Sequence, residues 1–106
     1  MTPEARTKNT VKKILDEHGV YWFMPTTAGY GRSGCGDFVC CVNGFFLMIE
    51  CKGPDGKVSA LQERELNKVT AAGGWSIVVY DSELHYNDLR QTLFALKIKS
   101  CNDRCI

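Results

Sequence analysis

The sequence contains no apolar run that approaches the ~18–20 residues of a membrane-spanning helix. Its first thirteen residues, MTPEARTKNTVKK, are polar, whereas a secretory signal peptide carries an apolar segment near its start. These two absences argue against a membrane partner and a secretory leader. We therefore expect the chain to remain in the cytosol.

Internal repeats, low-complexity segments and linkers are also missing from the sequence. At 106 residues the chain can enclose one hydrophobic core but not two, so residues 1–106 are expected to form a single domain. The formal net charge is +1, far from the strongly basic balance of a protein that coats nucleic acid. Basic residues cluster in the first helix at Arg6, Lys8, Lys12 and Lys13, but charge alone leaves the partner open.

Six cysteines are present without the secretory signal that accompanies a disulfide framework. Cys40 and Cys41 are adjacent in a predicted strand and point to opposite faces, so they cannot chelate one metal ion together. Cys101 and Cys105 form a CxxxC pair with no second pair at zinc-finger spacing. Reduced thiols are therefore expected, and a thiol- or zinc-based regulator remains an alternative function.

Hydrophobic periodicity, capping residues and turn signals predict seven elements. They are a helix from Pro3 to His18, a strand from Val20 to Met24, strands at Asp37–Val42 and Phe45–Glu50, a helix from Ser59 to Ala72, a strand from Trp75 to Tyr80, and a helix from Asp88 to about Ile98 capped by Asn87. The segment from the third strand to the fourth should make a parallel crossover beside an antiparallel hairpin. The predicted fold is an α/β domain with a small mixed four-stranded sheet flanked by helices, in the order α-β-β-β-α-β-α.

Asn43-Gly44 between two β-rich runs is the strongest short-range hairpin signal, because a type I′ turn needs positive φ at both central residues. A turn centred there places Asp37 directly opposite Glu50, with Cβ atoms roughly 4.5–5.5 Å apart. Lys52 points to the same face. Both faces are apolar near the turn, so we expect the hairpin to be buried on both sides, with these charges at its open end.

Two carboxylates facing each other in a buried sheet need a shared proton or a cation, and Lys52 can neutralise only one of them. A divalent ion is the economical third partner, since Mg²⁺ is commonly held by one or two carboxylates and water. A structural acid–lysine pair at the sheet margin is the alternative. Gln62 also has two open interpretations: it faces the core near this end of the sheet, and Ser59-x-x-Gln62 fits a capping box.

The ordered set Asp37, Glu50-Cys51-Lys52 and Gln62 resembles the PD-(D/E)xK nuclease superfamily and, within it, the VRR-NUC family of virus-type replication–repair nucleases. The resemblance spans residues 3–80 and includes Gly34-x-Gly36-Asp37, Leu61-Gln62 and Ala71-Ala72-Gly73-Gly74; residues 82–106, a C-terminal helix and tail, lie outside it. The chain departs from the motif at Gly36, where the family has proline. Proline presets the backbone and carries no chemistry, so this departure concerns the rigidity of the loop.

The resemblance implies a restriction-endonuclease-like fold and a metal-dependent DNA endonuclease. In that family pattern, Asp37, Glu50 and the backbone carbonyl of Cys51 hold Mg²⁺ or Mn²⁺. Lys52 orients the attacking water and stabilises the transition state, and Gln62 positions the water or a phosphate oxygen. Glu4 matches an acidic residue on the first helix of such folds and is a further candidate ligand through water, although an acid at a helix N-terminus has an adequate role without metal. Candidate contacts to the DNA backbone are Arg6, Lys8, Lys12, Lys13 and Arg32.

Small stand-alone members of this family resemble junction-resolving enzymes of phage or prophage type. The expected partners are therefore branched DNA, such as a four-way (Holliday) junction, and a second copy of the chain in a homodimer, with no small-molecule cofactor. The expected location is the cytosol of a bacterial or phage-infected cell. The competing hypothesis is a catalytically silent nuclease fold that binds DNA or protein, and the intact Asp37, Glu50 and Lys52 argue against it.

Overall fold

The computed structural model describes residues 1–26 and 34–99, which form three helices and one four-stranded sheet. In chain order the elements are α1 (Pro3–Glu17), β1 (Tyr21–Phe23), β2 (Phe38–Val42), β3 (Phe45–Lys52), α2 (Ala60–Ala71), β4 (Trp75–Tyr80) and α3 (Glu83–Ile98). The strands lie in the order β1-β2-β3-β4, with β1, β2 and β3 antiparallel and β4 parallel to β3. The predicted α/β class, mixed sheet and element order are confirmed.

Helix α1 begins where the sequence indicates. The Oγ1 of Thr2 accepts a hydrogen bond from the backbone N–H of Ala5 at 3.1 Å, and Pro3 occupies the first turn, where its missing N–H costs nothing. Val11, Ile14 and Leu15 on its apolar face are buried. The helix ends before Gly19, which has a φ of +66°.

The hairpin between β2 and β3 has the predicted turn and register. Asn43 and Gly44 have φ values of 53° and 83°, as a type I′ turn requires. Phe38 lies opposite Ile49, the last paired position toward the open end of the hairpin. The side-chain amide of Asn43 also donates to the backbone carbonyl of Leu96 at 3.0 Å, which fastens the turn to the end of α3.

The two faces of the sheet are covered unequally. Phe38, Leu47 and Ile49 lie on the face packed against α1 and α3 and are fully buried. Helix α2 lies on the opposite face of the sheet. It does not cover the part of this face near the turn between β2 and β3, where Phe46 is 43% exposed and Cys41 is exposed. The expectation that the hairpin is buried on both sides near the turn is therefore wrong, because α2 covers the charged end of this face instead.

Helix α3 begins five residues earlier than predicted. Its N-cap is Ser82, whose Oγ accepts from the N–H of His85 at 3.3 Å, so the assignment of Asn87 as the cap is wrong. Burial of Tyr86 in the core, 5% exposed, favours the additional helical turn. Strand β4 is only partly buried, since it forms an edge of the sheet.

No helix in residues 1–26 and 34–99 is both long enough and apolar enough to cross a bilayer.

Candidate active site

The open end of the β2–β3 hairpin gathers the charged residues that the sequence singled out. Asp37 directly precedes β2, and Glu50 and Lys52 are the sixth and eighth residues of β3. Glu50 is 3% exposed and Lys52 8% exposed. Burying charges at this level costs several kcal/mol unless they are paired or bound, so the partners of each group define what the site can do.

Asp37 is held by the backbone of the neighbouring strand. Its Oδ2 accepts from the N–H of Cys51 at 2.7 Å, a short, charge-assisted hydrogen bond. The paired part of the hairpin stops at Phe38 and Ile49, so Asp37 is not itself a member of the ladder opposite Glu50. The side chain instead crosses to β3, and its charge acts on Glu50 from there.

The pKa of the Glu50 carboxyl group is strongly raised in this site. Its Oε2 lies 3.3 Å from Lys52 Nζ. Burial, followed by repulsion from the charge of Asp37, raises the pKa of Glu50 to about 7, and the attraction of Lys52 only partly offsets this. Near neutral pH this carboxyl group is therefore poised between its protonated and ionised forms.

Gln62 takes part both in the capping box of α2 and in the charged end of the sheet, the two positions that the sequence left open. Its Oε1 accepts from the N–H of Ser59 at 2.9 Å while its own N–H donates to Ser59 Oγ at 3.1 Å, which completes the capping box. Its Nε2 donates to Glu50 Oε2 at 3.1 Å. The two ends of one amide thus tie the start of α2 to the buried carboxylate.

The first turns of α1 reach the same end of the sheet. Thr7 is fully buried, and its hydroxyl lies 2.9 Å from the backbone oxygen of Lys52 and 3.1 Å from that of Pro3. Gly53 permits this approach, because a Cβ built there would lie 2.9 Å from the Cβ of Pro3. Glu4 is thereby brought toward the site, where its Oε2 lies 3.3 Å from the ammonium of Lys8.

Lys8 has a position that the sequence did not predict. It was grouped with the candidate DNA contacts, but its Nζ lies 3.4 Å from Asp37 Oδ1 as well as beside Glu4. The spacing of Glu4 and Lys8 at i and i+4 predicts their contact with each other. The contact with Asp37 joins elements that are distant in sequence, so only the packing of α1 on the sheet produces it.

The other basic candidates within the described residues are Arg6, Lys12 and Lys13, all on α1. The guanidinium of Arg6 is paired with Asp81 at 3.1 Å, and Asp81 also accepts from the hydroxyl of Tyr86 at 2.6 Å. Lys13 is exposed on α1 and Lys12 is half-buried. Arg32 lies outside the described residues.

Gly36, the departure from the family motif, is a packed position and not a loose one. It is buried, and its N–H points to Met48 Sδ at 3.4 Å. A Cβ at this position would lie 2.6 Å from Met48 Cγ and 3.0 Å from the backbone oxygen of Ile49. The structure adds a steric reason for glycine at this position, since a Cβ here requires the Met48 side chain to shift.

The cysteines have no evident chemical role in this site. Cys35, Cys40, Cys41 and Cys51 form no disulfide bond within the described residues. Burial raises the pKa of both Cys40 and Cys51, which keeps these two thiols protonated and unreactive. The side chain of Cys51 faces the core, so its backbone is the part that meets Asp37. Cys101 and Cys105 lie outside the described residues.

The donor set fits a hard divalent cation. Within residues 1–26 and 34–99, no three His, Cys, Asp or Glu side chains converge closely enough to hold a metal ion by themselves. Mg²⁺ needs fewer, since it usually takes one or two protein carboxylates and keeps several waters. Asp37 and Glu50 offer such oxygens, and the Asp37 charge that raises the pKa of Glu50 is repulsion that a cation between them would relieve.

Comparison of the chain with models of known protein families gives no match, and comparison with curated proteins gives none either.

Proposed function

We propose that the chain is a metal-dependent endonuclease that hydrolyses phosphodiester bonds in DNA. The observation that carries this proposal is the pairing of a backbone-held Asp37 with a buried Glu50 beside Lys52, all at one open end of the hairpin. Such a cluster of buried charges destabilises a fold, and its electrostatics favour binding of a cation and an anionic substrate.

The roles of the residues follow from what each one contacts. Asp37 and Glu50 would hold Mg²⁺ or Mn²⁺, with the Cys51 carbonyl as a further oxygen donor. When bound, such an ion lowers the pKa of a coordinated water and neutralises charge on a phosphate. Lys52, already 3.3 Å from Glu50, would orient the attacking water and stabilise negative charge that develops on the phosphate.

Gln62 and Glu4 would act around this centre. The amide of Gln62 sets the position of Glu50 Oε2, and supporting hydrogen bonds of this kind orient metal ligands. Glu4 lies on the far side of Lys8 and would reach the ion through water. These assignments extend the family resemblance with contacts from three separate elements.

We further propose a substrate of branched DNA, with the four-way junction of a phage or prophage resolvase as the leading candidate. One copy of the chain offers one such carboxylate site, so symmetrical cuts in two strands need a homodimer. The small net charge of +1 and the engagement of Arg6 by Asp81 favour selective over tight nonspecific DNA binding. Such a reaction would take place in the cytosol of the bacterial host.

A catalytically silent DNA- or protein-binding module is the second candidate. One observation favours it: the Lys8 ammonium lies 3.4 Å from Asp37 Oδ1, at the oxygen that a catalytic ion would need. A silent module has no requirement for an ion there, and a lysine could serve as the permanent counter-charge.

Cleavage assays separate these functions. The protein is incubated with end-labelled four-way junction, matched duplex or single strand, in Mg²⁺, Mn²⁺ or EDTA. Asp37→Asn is the test variant and Asp55→Asn, in the exposed turn after β3, is the matched control. We expect metal-dependent cleavage by the wild type and by the control, and a loss of at least about a hundredfold in Asp37→Asn.

Symmetrical nicks confined to the junction would support the resolvase assignment, and cleavage of all three substrates would limit the proposal to a general nuclease. Absence of metal-dependent cleavage of any substrate, or equal cleavage by Asp37→Asn, would overturn the nuclease proposal.

A further inference from the structure

Lys8 links two carboxylates that belong to different elements. Its Nζ lies 3.3 Å from Glu4 Oε2, within α1, and 3.4 Å from Asp37 Oδ1, at the start of β2. Its side chain is 28% exposed. The ammonium of Lys8 therefore lies between two acids and pairs with both.

The two oxygens of Asp37 are engaged in different ways. Oδ2 accepts from the backbone N–H of Cys51 at 2.7 Å, and releasing that contact would leave this N–H without its acceptor. Oδ1 faces Lys8, whose ammonium sits on a flexible four-carbon stem. The oxygen of Asp37 that can be transferred to another cation is consequently the one that Lys8 holds.

Lys8 and Lys52 differ in how easily each ammonium can move away from the carboxylate that it contacts. The Lys52 side chain is 10% exposed and lies 3.3 Å from Glu50 Oε2, whereas that of Lys8 is 28% exposed and retains Glu4 as a second partner. Losing Asp37 therefore leaves Lys8 with an acid and access to water, which is a small penalty. Lys52 is more deeply buried, and its ammonium pairs with the buried carboxylate of Glu50.

We propose that Lys8 is a displaceable counter-cation of the carboxylate site: it neutralises Asp37 before a divalent ion binds and gives up Asp37 when the ion arrives. This inference rests on the proposed metal-dependent function. Lys8 then raises the concentration of divalent ion needed to fill the site, because the ion must replace the ion pair between Lys8 and Asp37. After displacement the ammonium remains paired with Glu4.

Metal affinity measured without DNA tests this role. Mn²⁺ binding to the full chain is followed by electron paramagnetic resonance of the free ion and by calorimetry, for the wild type, Lys8→Met, Lys8→Arg and Lys13→Met. Lys8→Met keeps most of the length of the side chain and removes its charge. Lys13→Met removes the same charge from an exposed position on the same helix, and it controls for the general effect of net charge.

We expect Lys8→Met to bind Mn²⁺ about tenfold more tightly than the wild type, since the ion no longer competes with an adjacent charge. Lys8→Arg and Lys13→Met should stay within about threefold of the wild type, because the first keeps the competing charge and the second removes only a distant, screened one. Thermal unfolding of each variant in EDTA verifies that it is folded.

A second measurement uses only the wild-type protein, so its result does not depend on whether a variant folds. Each lysine is acylated by a limiting reagent, with and without saturating Mn²⁺, and the modified sites are quantified by mass spectrometry. Release from Asp37 leaves the Lys8 amine more accessible to the reagent, so Mn²⁺ should accelerate acylation of Lys8 severalfold relative to Lys13.

Three outcomes would overturn the inference. Equal or weaker Mn²⁺ binding by Lys8→Met, with normal binding by the wild type, means that Lys8 supports Asp37 and does not compete with the ion, and the nuclease proposal survives. Acylation of Lys8 that Mn²⁺ leaves unchanged has the same meaning. Absence of Mn²⁺ binding by both wild type and Lys8→Met overturns the inference and the proposed function together.

Discussion

Gln62 and Glu50 are joined by a hydrogen bond of 3.1 Å from the amide Nε2 of the first to the carboxylate Oε2 of the second. The opposite end of the same amide, Oε1, accepts from the N–H of Ser59 at 2.9 Å. The orientation of this amide is thereby determined at both ends, since the N–H of Ser59 requires an oxygen and the carboxylate requires a donor. The cap of α2 and the position of Glu50 are therefore coupled.

Separate substitutions at the two partners of the cap distinguish its structural effect from its effect on Glu50. Gln62→Ala removes both contacts, and Ser59→Ala removes only the hydroxyl of the cap. We expect each to lower the free energy of unfolding by about 1 kcal/mol. Only Gln62→Ala should also reduce cleavage, by about 10–100-fold, the usual effect of losing a partner of a metal ligand.

Chemical denaturation measures stability for this comparison, and the cleavage assay described above measures activity. Equal activity losses in Ser59→Ala and Gln62→Ala would mean that Gln62 acts only through the helix terminus.

The raised pKa of Glu50 predicts how the stability of the metal-free protein depends on pH. Glu50 has a pKa of about 7 in the fold against an ordinary value of 4.5, so between these values the folded state binds a proton that the unfolded chain has lost. The stability contributed by this proton is fully present below about pH 4.5 and is lost as the pH rises through about 7. Its size is on the order of 3 kcal/mol.

Denaturation in EDTA across this pH range is the measurement. Glu50→Gln should flatten the fall in stability, and Glu63→Gln, at an exposed position on α2, should not. Saturating Mn²⁺ should also oppose the fall, because the ion binds the ionised carboxylate. The same slope in Glu50→Gln as in the wild type would contradict the assignment.

The buried hydroxyl of Thr7 predicts a specific effect of Thr7→Val. This substitution preserves the shape of the side chain but leaves the backbone oxygen of Lys52 without its donor at 2.9 Å. We expect a loss of about 1–2 kcal/mol in unfolding free energy, the cost of an unsatisfied buried acceptor, together with reduced cleavage. Thr7→Ser retains the donor and should retain cleavage.

Thr92→Val is the matched control for Thr7→Val. The hydroxyl of Thr92 is exposed and donates to the backbone oxygen of Asp88 at 2.9 Å, so its removal should change stability by less than about 0.5 kcal/mol. A Thr7→Val protein as stable and active as Thr92→Val would show that the contact between α1 and β3 is dispensable.

Restoring the proline of the family motif should harm this protein. Gly36→Pro introduces a Cβ within 2.6 Å of Met48 Cγ and removes the N–H that points to Met48 Sδ. We expect Gly36→Ala to cost about 1–3 kcal/mol through overpacking, and Gly36→Pro to cost more. The thermal unfolding midpoint of the purified variants checks this order.

Shortening the side chain that obstructs position 36 provides the control. In a Met48→Ala background, Gly36→Ala should cost less than in the wild type, because the nearest atoms are gone, and the difference is the coupling energy of a double-mutant cycle. Additive effects of the two substitutions would indicate that the backbone oxygen of Ile49, at 3.0 Å, sets the limit.

The hairpin was predictable because its signals are local. Asn43 and Gly44 accept positive φ, and the alternation of side chains along a strand then determines which residues share a face. Glu50 and Lys52 were therefore assigned to the correct end and face of β3. The capping box of α2 was readable for the same reason, since Ser59 and Gln62 are three residues apart.

The start of α3 was not predictable from local preference. Asn87 and Ser82 are both good caps by residue type, and nothing in the nearby sequence ranks them. Burial of Tyr86 and its hydrogen bond to Asp81 favour the earlier start, and both depend on how α3 packs against the sheet. The solvent exposure of the hairpin at Phe46 was not predictable either, because it depends on where α2 packs on the sheet.

The sequence by itself determined the order of the elements, the register of the hairpin and the common face of Glu50 and Lys52, because these properties depend on residues close together in the chain. Tertiary structure alone decided that Lys8 meets Asp37, that Thr7 meets the backbone of Lys52, that Arg6 is engaged by Asp81, and that the Met48 side chain crowds position 36. Each of these contacts joins residues that lie far apart in the chain or depends on how tightly two elements pack. Residue preference and periodicity carry no information about such distances, which are set when α1, the sheet and α3 bury their apolar faces together.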